Sequence, residues 1–251
     1  MTATMRPCDV RPWTVVAANL PEHARNPIHT DAGAQVAGFP RALVAGVTTY
    51  AYLTHPVVAA WGEAWLRSGG GEVRFRQPVF DGDTVECVPV IVGEPVGRGS
   101  VVIEARTGQG VARATFSAVA HSARVGLLRD GDKLRSRRVE LVGELGTEYG
   151  WRAGDELALY REQNLVHPAV WPAIANQVVH VDVARGAWIH TRSIIRHHAL
   201  ARADGVADVH ATIVRRFDQP SGERAVLDVV IEVDGELIAS LEHEAIIALP
   251  T

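Results

Sequence analysis

Cysteine is nearly absent from this sequence: Cys8 and Cys87 are the only two in 251 residues. Two distant thiols supply neither a disulfide framework nor the closely spaced ligands of a zinc site, and they suit a reducing compartment. Long apolar runs are missing too. No stretch approaches the roughly 18 to 20 residues that a membrane-spanning helix requires. The opening MTATMRPCDVRPWTVV lacks the basic start and apolar run of a secretory signal. A soluble, cytoplasmic protein with no membrane association is expected. Basic blocks are absent as well, and the net charge is −4. Nucleic acid is therefore not expected as a partner, because phosphate binding normally leaves a basic stripe.

Several chemical fingerprints are also missing. There is no Gly-x-Ser-x-Gly elbow of an α/β-hydrolase, and neither a Walker-type Gly-Lys-Ser/Thr nor a dinucleotide fingerprint. No nucleotide cofactor is expected. His190, His197, His198 and His210 lack carboxylate or cysteine company at a ligand spacing, so no metal is expected either. His197 and His198 are adjacent and face opposite ways on a strand.

What is present is ordinary globular material, 47% apolar and 22% charged, long enough to bury a real core. From Pro40 the chain runs PRALVAGVTTYAYLTHPVVAAWGEAWLRSGGG. Ala42, Leu43, Val47, Tyr50, Ala51 and Leu53 crowd nearly every face, as in a helix buried inside a fold. Pro56 predicts a break or kink, and the triple glycine at 69–71 a turn that ends the helical region. The period then changes to alternation in EVRFRQPVFDGDTVECVPVIVG, with a turn at Asp81-Gly82-Asp83. A hairpin is expected around Thr107-Gly108-Gln109-Gly110.

Residues 121–150 are the most charged stretch and carry no clear period, which suggests a linker with room for one strand. The first plan then recurs. A short helix is expected at 167–180, strand material in GAWIHTRSIIRHHALA, and two hairpins turning at Gln219-Pro220-Ser221-Gly222 and Asp234-Gly235. The order of elements predicts a diverged internal duplication. The expected division is an N-terminal unit over 1–120, a connecting segment over 121–150 and a degenerate second unit over 151–251.

The most informative stretch is ARNPIHTD, residues 24–31. An Asn-Pro pair forces a tight turn, which delivers His29 to the mouth of the buried helix. NPIHTD, followed by GFPRALVAG and then GGGEVRFRQPVFDGDTV, resembles the MaoC-like or (R)-specific enoyl-CoA hydratase family. The resemblance covers residues 10–120 well and fades beyond them. It implies an α+β double hotdog, in which two antiparallel sheets each wrap a central helix and join into one long curved surface.

The resemblance further implies addition of water to an enoyl thioester, or its removal from a hydroxyacyl thioester. The substrate would be carried on CoA or on an acyl carrier protein, with no separate cofactor. It implies that His29, with an aspartate two residues before Asn26, holds the reacting water, and that the N–H of Gly46 faces the thioester oxygen. The chemistry agrees. Water addition pushes negative charge onto the carbonyl oxygen, and an N–H at a helix start stabilises it there. Glycine permits the close approach, and histidine titrates near neutrality without tuning.

The aspartate position is Ala24, which can neither accept a proton nor orient water. Three outcomes stay open: a neighbour such as Glu22, His23 or Asp31 substitutes, His29 alone drives a related reaction, or the protein binds rather than converts. The candidate site residues are His29, Asn26, Gly46, Asp31 and His23, with Arg74 and Arg76 for a CoA or carrier phosphate. Each has a plainer role available. Asn26 can cap the turn, Asp31 can cap the next helix, Gly46 can allow close packing, and the arginines can lie on a solvated face. The tryptophans, including Trp61, Trp65, Trp171 and Trp188, are expected in the core. Association into a homodimer or a heteromer is compatible with the resemblance.

Overall fold

The computed structural model describes residues 5–90, 99–108 and 110–250. In chain order the first part contains β1 (Trp13–Val16), α1 (Asp31–Val36), α2 (Gly46–Ser68), β2 (Gly70–Phe75), β3 (Thr84–Val90), β4 (Ser100–Thr107) and β5 (Val111–Val119). There follow β6 (Asp132–Lys133), β7 (Arg137–Glu140), α3 (Glu148–Arg152), α4 (Leu159–Glu162), α5 (Val170–Val178), β8 (Ile189–His197), β9 (Val206–Gln219), β10 (Gly222–Val233) and β11 (Glu236–Ala248). All eleven strands join one antiparallel sheet in the order β1-β3-β4-β5-β2-β8-β11-β10-β9-β6, with β7 also pairing β9. Helix α2 packs on β2–β5 and also on β8, and α5 packs on β11 and β8.

The expected buried helix is α2, in which Val47, Tyr50, Ala51, Leu53, Val57 and Trp65 are buried, while Ala59 and Arg67 in its second half stay exposed. It starts later than Pro40. Leu43 bridges Phe80 and the Val44 N–H bonds the Val79 carbonyl, so residues 41–45 run extended and Ala45 is the N-cap. The expected break at Pro56 also moves. Pro56 stays inside the helix, where it forfeits one hydrogen bond, and the interruption falls at Gly62 (φ 55°, ψ −146°). Glycine reaches that conformation without a Cβ clash.

The triple glycine is more than a turn. Gly69 ends α2, while Gly70 and Gly71 open β2, the strand that joins the two halves by pairing with β8. A Cβ on Gly70 would come within 2.3 Å of the Ile195 carbonyl oxygen, and one on Gly71 within 2.3 Å of that of Ser117. Two side-chain-free residues let the seam close. Residues 121–150 hold two short strands, β6 and β7, both on β9. In the β4–β5 hairpin Gln109 lies outside the described residues. The Asp234-Gly235 turn has φ of 52° and 77°, the positive pair of a tight two-residue hairpin.

Polar ties cross between the halves. Glu72 on β2 pairs with Arg192 on β8, which also reaches Glu242 on β11 at 2.6 Å. His55 on α2 meets Asp155 at 2.8 Å, and His167 binds the other carboxylate oxygen at 3.1 Å. Burial alone would raise the Asp155 carboxyl, but the hydrogen bonds from His167 and His55 hold it well below its ordinary value.

Candidate active site

Asn26 builds the site's outer wall. Its side-chain oxygen caps the 3₁₀ turn Pro27–His29, and its Nδ2 donates to the Trp188 carbonyl at 2.8 Å. The NPIH turn is thereby pinned to the entry of β8 in the other half. The turn sets His29 so that its Nδ1–H donates to the Leu43 carbonyl at 2.8 Å. A carbonyl can only accept, so Nδ1 carries the proton and Nε2 keeps a free lone pair. Burial lowers the His29 pKa, and the Leu43 hydrogen bond opposes this. The imidazole is therefore neutral and basic at neutral pH.

Two cavities meet at this residue. The first, about 300 Å³, includes Asn26, His29, Gly46, Phe75, Arg76 and His190 in its lining. The second, about 270 Å³, includes His23, His29, Arg137, Tyr149, Asn176 and His180. Asn26, His29, Asn176 and Trp188 belong to both walls, so His29 stands between the two spaces. Gly46 is the first residue of α2, whose leading N–H groups have no partner within the helix.

The expected residues divide clearly. His29, Asn26 and Gly46 come together at the first cavity. His23 turns into the second, its ring centroid 5.9 Å from that of His29 and its Nε2 at 3.2 Å from Thr48 Oγ1. Burial, then the neighbouring His29, pushes its pKa down to about 4. Asp31 lines neither cavity. Its carboxylate accepts from the Ala42 N–H at 2.8 Å, and the side-chain cap of α1 is Thr30. Asp31 thus ties a loop. Glu22 is held by Arg152 through contacts of 2.7 and 2.6 Å. Ala24 is exposed and lines neither cavity.

Arg76 sits on the rim of the first cavity, whereas Arg74 lies outside it and pairs with Glu72 at 2.7 Å. Alternation along β2 explains the split only in part, since β2 ends at Phe75 and Arg76 begins the loop. Among the described residues no group of three or more potential ligands could hold a metal, and no helix is long and apolar enough to cross a membrane.

Sequence reasoning missed a buried cluster in the second half. His190 Nε2 lies 2.8 Å from Ser193 Oγ, which lies 2.9 Å from His243 Nδ1. Residues three apart normally point to opposite faces of a strand. Here the β8–β11 register slips between Arg192 and His190, and this bulge turns both His190 and Ser193 inward. Asn176 was missed as well. The His190–Ser193–His243 contacts arise from strand pairing and Asn176 from the docking of α5, so no spacing in the chain announces them.

The arrangement is that of a double hotdog with one composite site at the junction of its halves. Residues 3–112 match the family described as MaoC like domain. Solved structures resemble nearly the whole chain. A MaoC domain protein of Chloroflexus aurantiacus, described as a dehydratase, is 11% identical with TM-score 0.60, covering 96% of each chain. A double-hotdog protein of Mycobacterium tuberculosis is 12% identical with TM-score 0.60, covering 94% of this chain and 96% of that one. A protein of Novosphingobium aromaticivorans described as a thioesterase is 11% identical with TM-score 0.51, covering 99% of each. No curated protein matches by sequence.

Proposed function

We propose that this protein acts on an acyl thioester, adding water to a trans-2-enoyl group or removing it from the hydroxyacyl product, with His29 as the acid/base. The observation that carries this reading is the His29 imidazole. Its Nδ1 is committed to Leu43, and its basic Nε2 is left for the cavity that also contains the start of α2. Nε2 takes a proton from water as oxygen bonds to the β-carbon. The electrons of the double bond move toward the carbonyl oxygen, and the Gly46 N–H stabilises the charge. The proton on Nε2 then passes to the α-carbon, so one group balances the reaction. His23, kept neutral, is the neighbour that replaces the missing aspartate by holding the water.

Arg76, which makes no ion pair among the described residues, supplies charge at the rim for the phosphates of CoA or of a carrier protein's prosthetic arm. The sparing use of cysteine favours the cytoplasm.

Thioester hydrolysis is the second reading. Glu22 and Glu144, the carboxylates in the second cavity's lining, both contact Arg152, so no free carboxylate assists His29. Hydrolysis needs less assistance, because a thiolate leaves easily once water has attacked the carbonyl.

The test follows trans-2-hexenoyl-CoA by loss of its conjugated absorbance and, separately, by release of free thiol. Loss of conjugation without thiol release is expected, and His29→Ala should lower kcat ~10²–10⁴-fold while staying folded. Thiol release alone selects hydrolysis. Binding without either reaction, unaffected by His29→Ala, would make the protein an acyl-binding or partner-stabilising subunit. The acid limb of kcat/KM should lie below the ordinary histidine value of 6.5, since burial lowers the His29 pKa.

A further inference from the structure

We propose that His190 is a second substrate-contacting group, its Nδ1 donating beside the Gly46 N–H to the thioester oxygen, with Ser193 and His243 fixing the proton that makes it a donor. The inference rests on the acyl-thioester reading of the cavity and adds a residue that the first half cannot supply.

Three observations converge. His190 is 5% exposed, yet it lines the first cavity. Its Nδ1 is a buried polar atom with no hydrogen-bond partner, and such an atom is costly unless something binds it. Its position is defined: a Cβ placed on Gly46 would come within 3.3 Å of that nitrogen. The missing partner therefore belongs next to Gly46, where the oxyanion is expected. The ring is held against Phe75 at 4.7 Å and His243 at 4.1 Å between centroids, so it is aimed rather than loose.

Ser193 has a single hydroxyl proton and two nitrogens to serve. When that proton goes to His243 Nδ1, His190 Nε2 must carry its own proton and donate to Ser193, leaving Nδ1 a bare lone pair. When the proton goes to His190 Nε2, His190 carries its proton on Nδ1 and presents a donor to the cavity. His243 Nδ1–H then donates to Ser193. Both rings are neutral in each state. Burial, and then the neighbouring His243, lowers the His190 pKa well below its ordinary value against an opposing contribution from the Arg192 backbone, and burial lowers that of His243 to about 3. Rotation of one hydroxyl, with tautomer exchange in both rings, thus converts His190 from acceptor to donor. A ligand oxygen beside Gly46 selects the donor state.

The experiment uses protein labelled with ¹⁵N-histidine and the carbadethia analogue of hexanoyl-CoA, in which a methylene replaces the thioester sulfur. This probe keeps the carbonyl and can be neither hydrated nor hydrolysed. Imidazole ¹⁵N shifts report the tautomer directly. His190 is assigned by its loss in His190→Phe, which preserves the ring packing, or in His190→Gln should the first variant not fold. On saturation, the His190 Nδ1 signal should move to the protonated, hydrogen-bonded position, and Ser193→Ala should abolish that movement. In turnover, His190→Phe should lower kcat ~10²-fold with KM changed little, as for loss of one oxyanion donor.

A probe that fails to bind overturns the acyl-thioester reading and the proposal with it. A probe that binds and perturbs His29 while His190 Nδ1 stays unmoved overturns the proposal alone. So does a folded His190→Phe with unchanged kcat.

Discussion

Position 24 shows how a one-residue turn in a short helix redistributes chemistry. The resemblance puts an acid there, but the 3₁₀ turn Pro21–Arg25 leaves Ala24 exposed and directs His23 inward. A carboxylate at 24 would meet water rather than His29. Ala24→Asp is therefore expected to keep wild-type kcat on enoyl-CoA within about twofold. A gain of tenfold or more would show that position 24 faces the reacting centre. His29 was legible from sequence because its turn is local: Asn26 and Pro27 force it, and both are its neighbours. His190 was not legible. Its meaning depends on Ser193 being turned to the same face by a bulge and on His243, 53 residues later, lying opposite Ser193.

Among elements, the seam strand β2 carries the sharpest constraint. Its five paired positions with β8 run from Gly70↔Arg196 to Arg74↔Arg192. A methyl group at Gly70 would fall 2.3 Å from a backbone oxygen that cannot rotate away. Gly70→Ala should cost at least ~1–3 kcal/mol, the range for overpacking. The loss would appear as a lower midpoint in urea. An unchanged midpoint would mean that the seam tolerates separation. Helix α2 was legible as an apolar run, yet its limits were not. Pro56 is the strongest helix breaker in the stretch, but the buried part of the helix around it tolerates one missing hydrogen bond. Gly62 takes the interruption because positive φ is open to it.

Across the whole molecule, buried imidazoles make stability depend on pH. His197 and His23 have pKa values lowered to about 4, and His243 to about 3, burial being the largest cause in each. An unfolded histidine binds a proton near 6.5. Between that value and the folded ones the unfolded chain holds more protons, so acid favours unfolding. Asp155 acts in the same direction, because its carboxyl stays ionised to lower pH in the folded chain. The melting temperature should be nearly flat above pH 7 and fall steadily from pH 6.5 to 4, as followed by calorimetry. A flat profile across that interval would mean that these rings are hydrated in the folded protein.

The sequence by itself determined the class of fold, the position of the buried helix, the hairpins and the NPIH turn. The class of fold rests on the family resemblance that these motifs carry; the helix, the hairpins and the turn rest on periodicity or on the stereochemistry of residues close in the chain. Only the tertiary structure decided that both halves line the candidate site. Pairing of β2 with β8 brings Trp188 to Asn26 and His190 to Gly46, and proximity created by strand pairing leaves no trace in spacing. Packing of the two 3₁₀ turns on Thr48 and Leu43 decided that His23 and His29 face the cavities, whereas Asp31, Glu22 and Arg74 are taken up elsewhere. The three charged groups are already satisfied, Arg74 by its strand neighbour Glu72, and Asp31 and Glu22 by the Ala42 N–H and Arg152, which lie further along the chain.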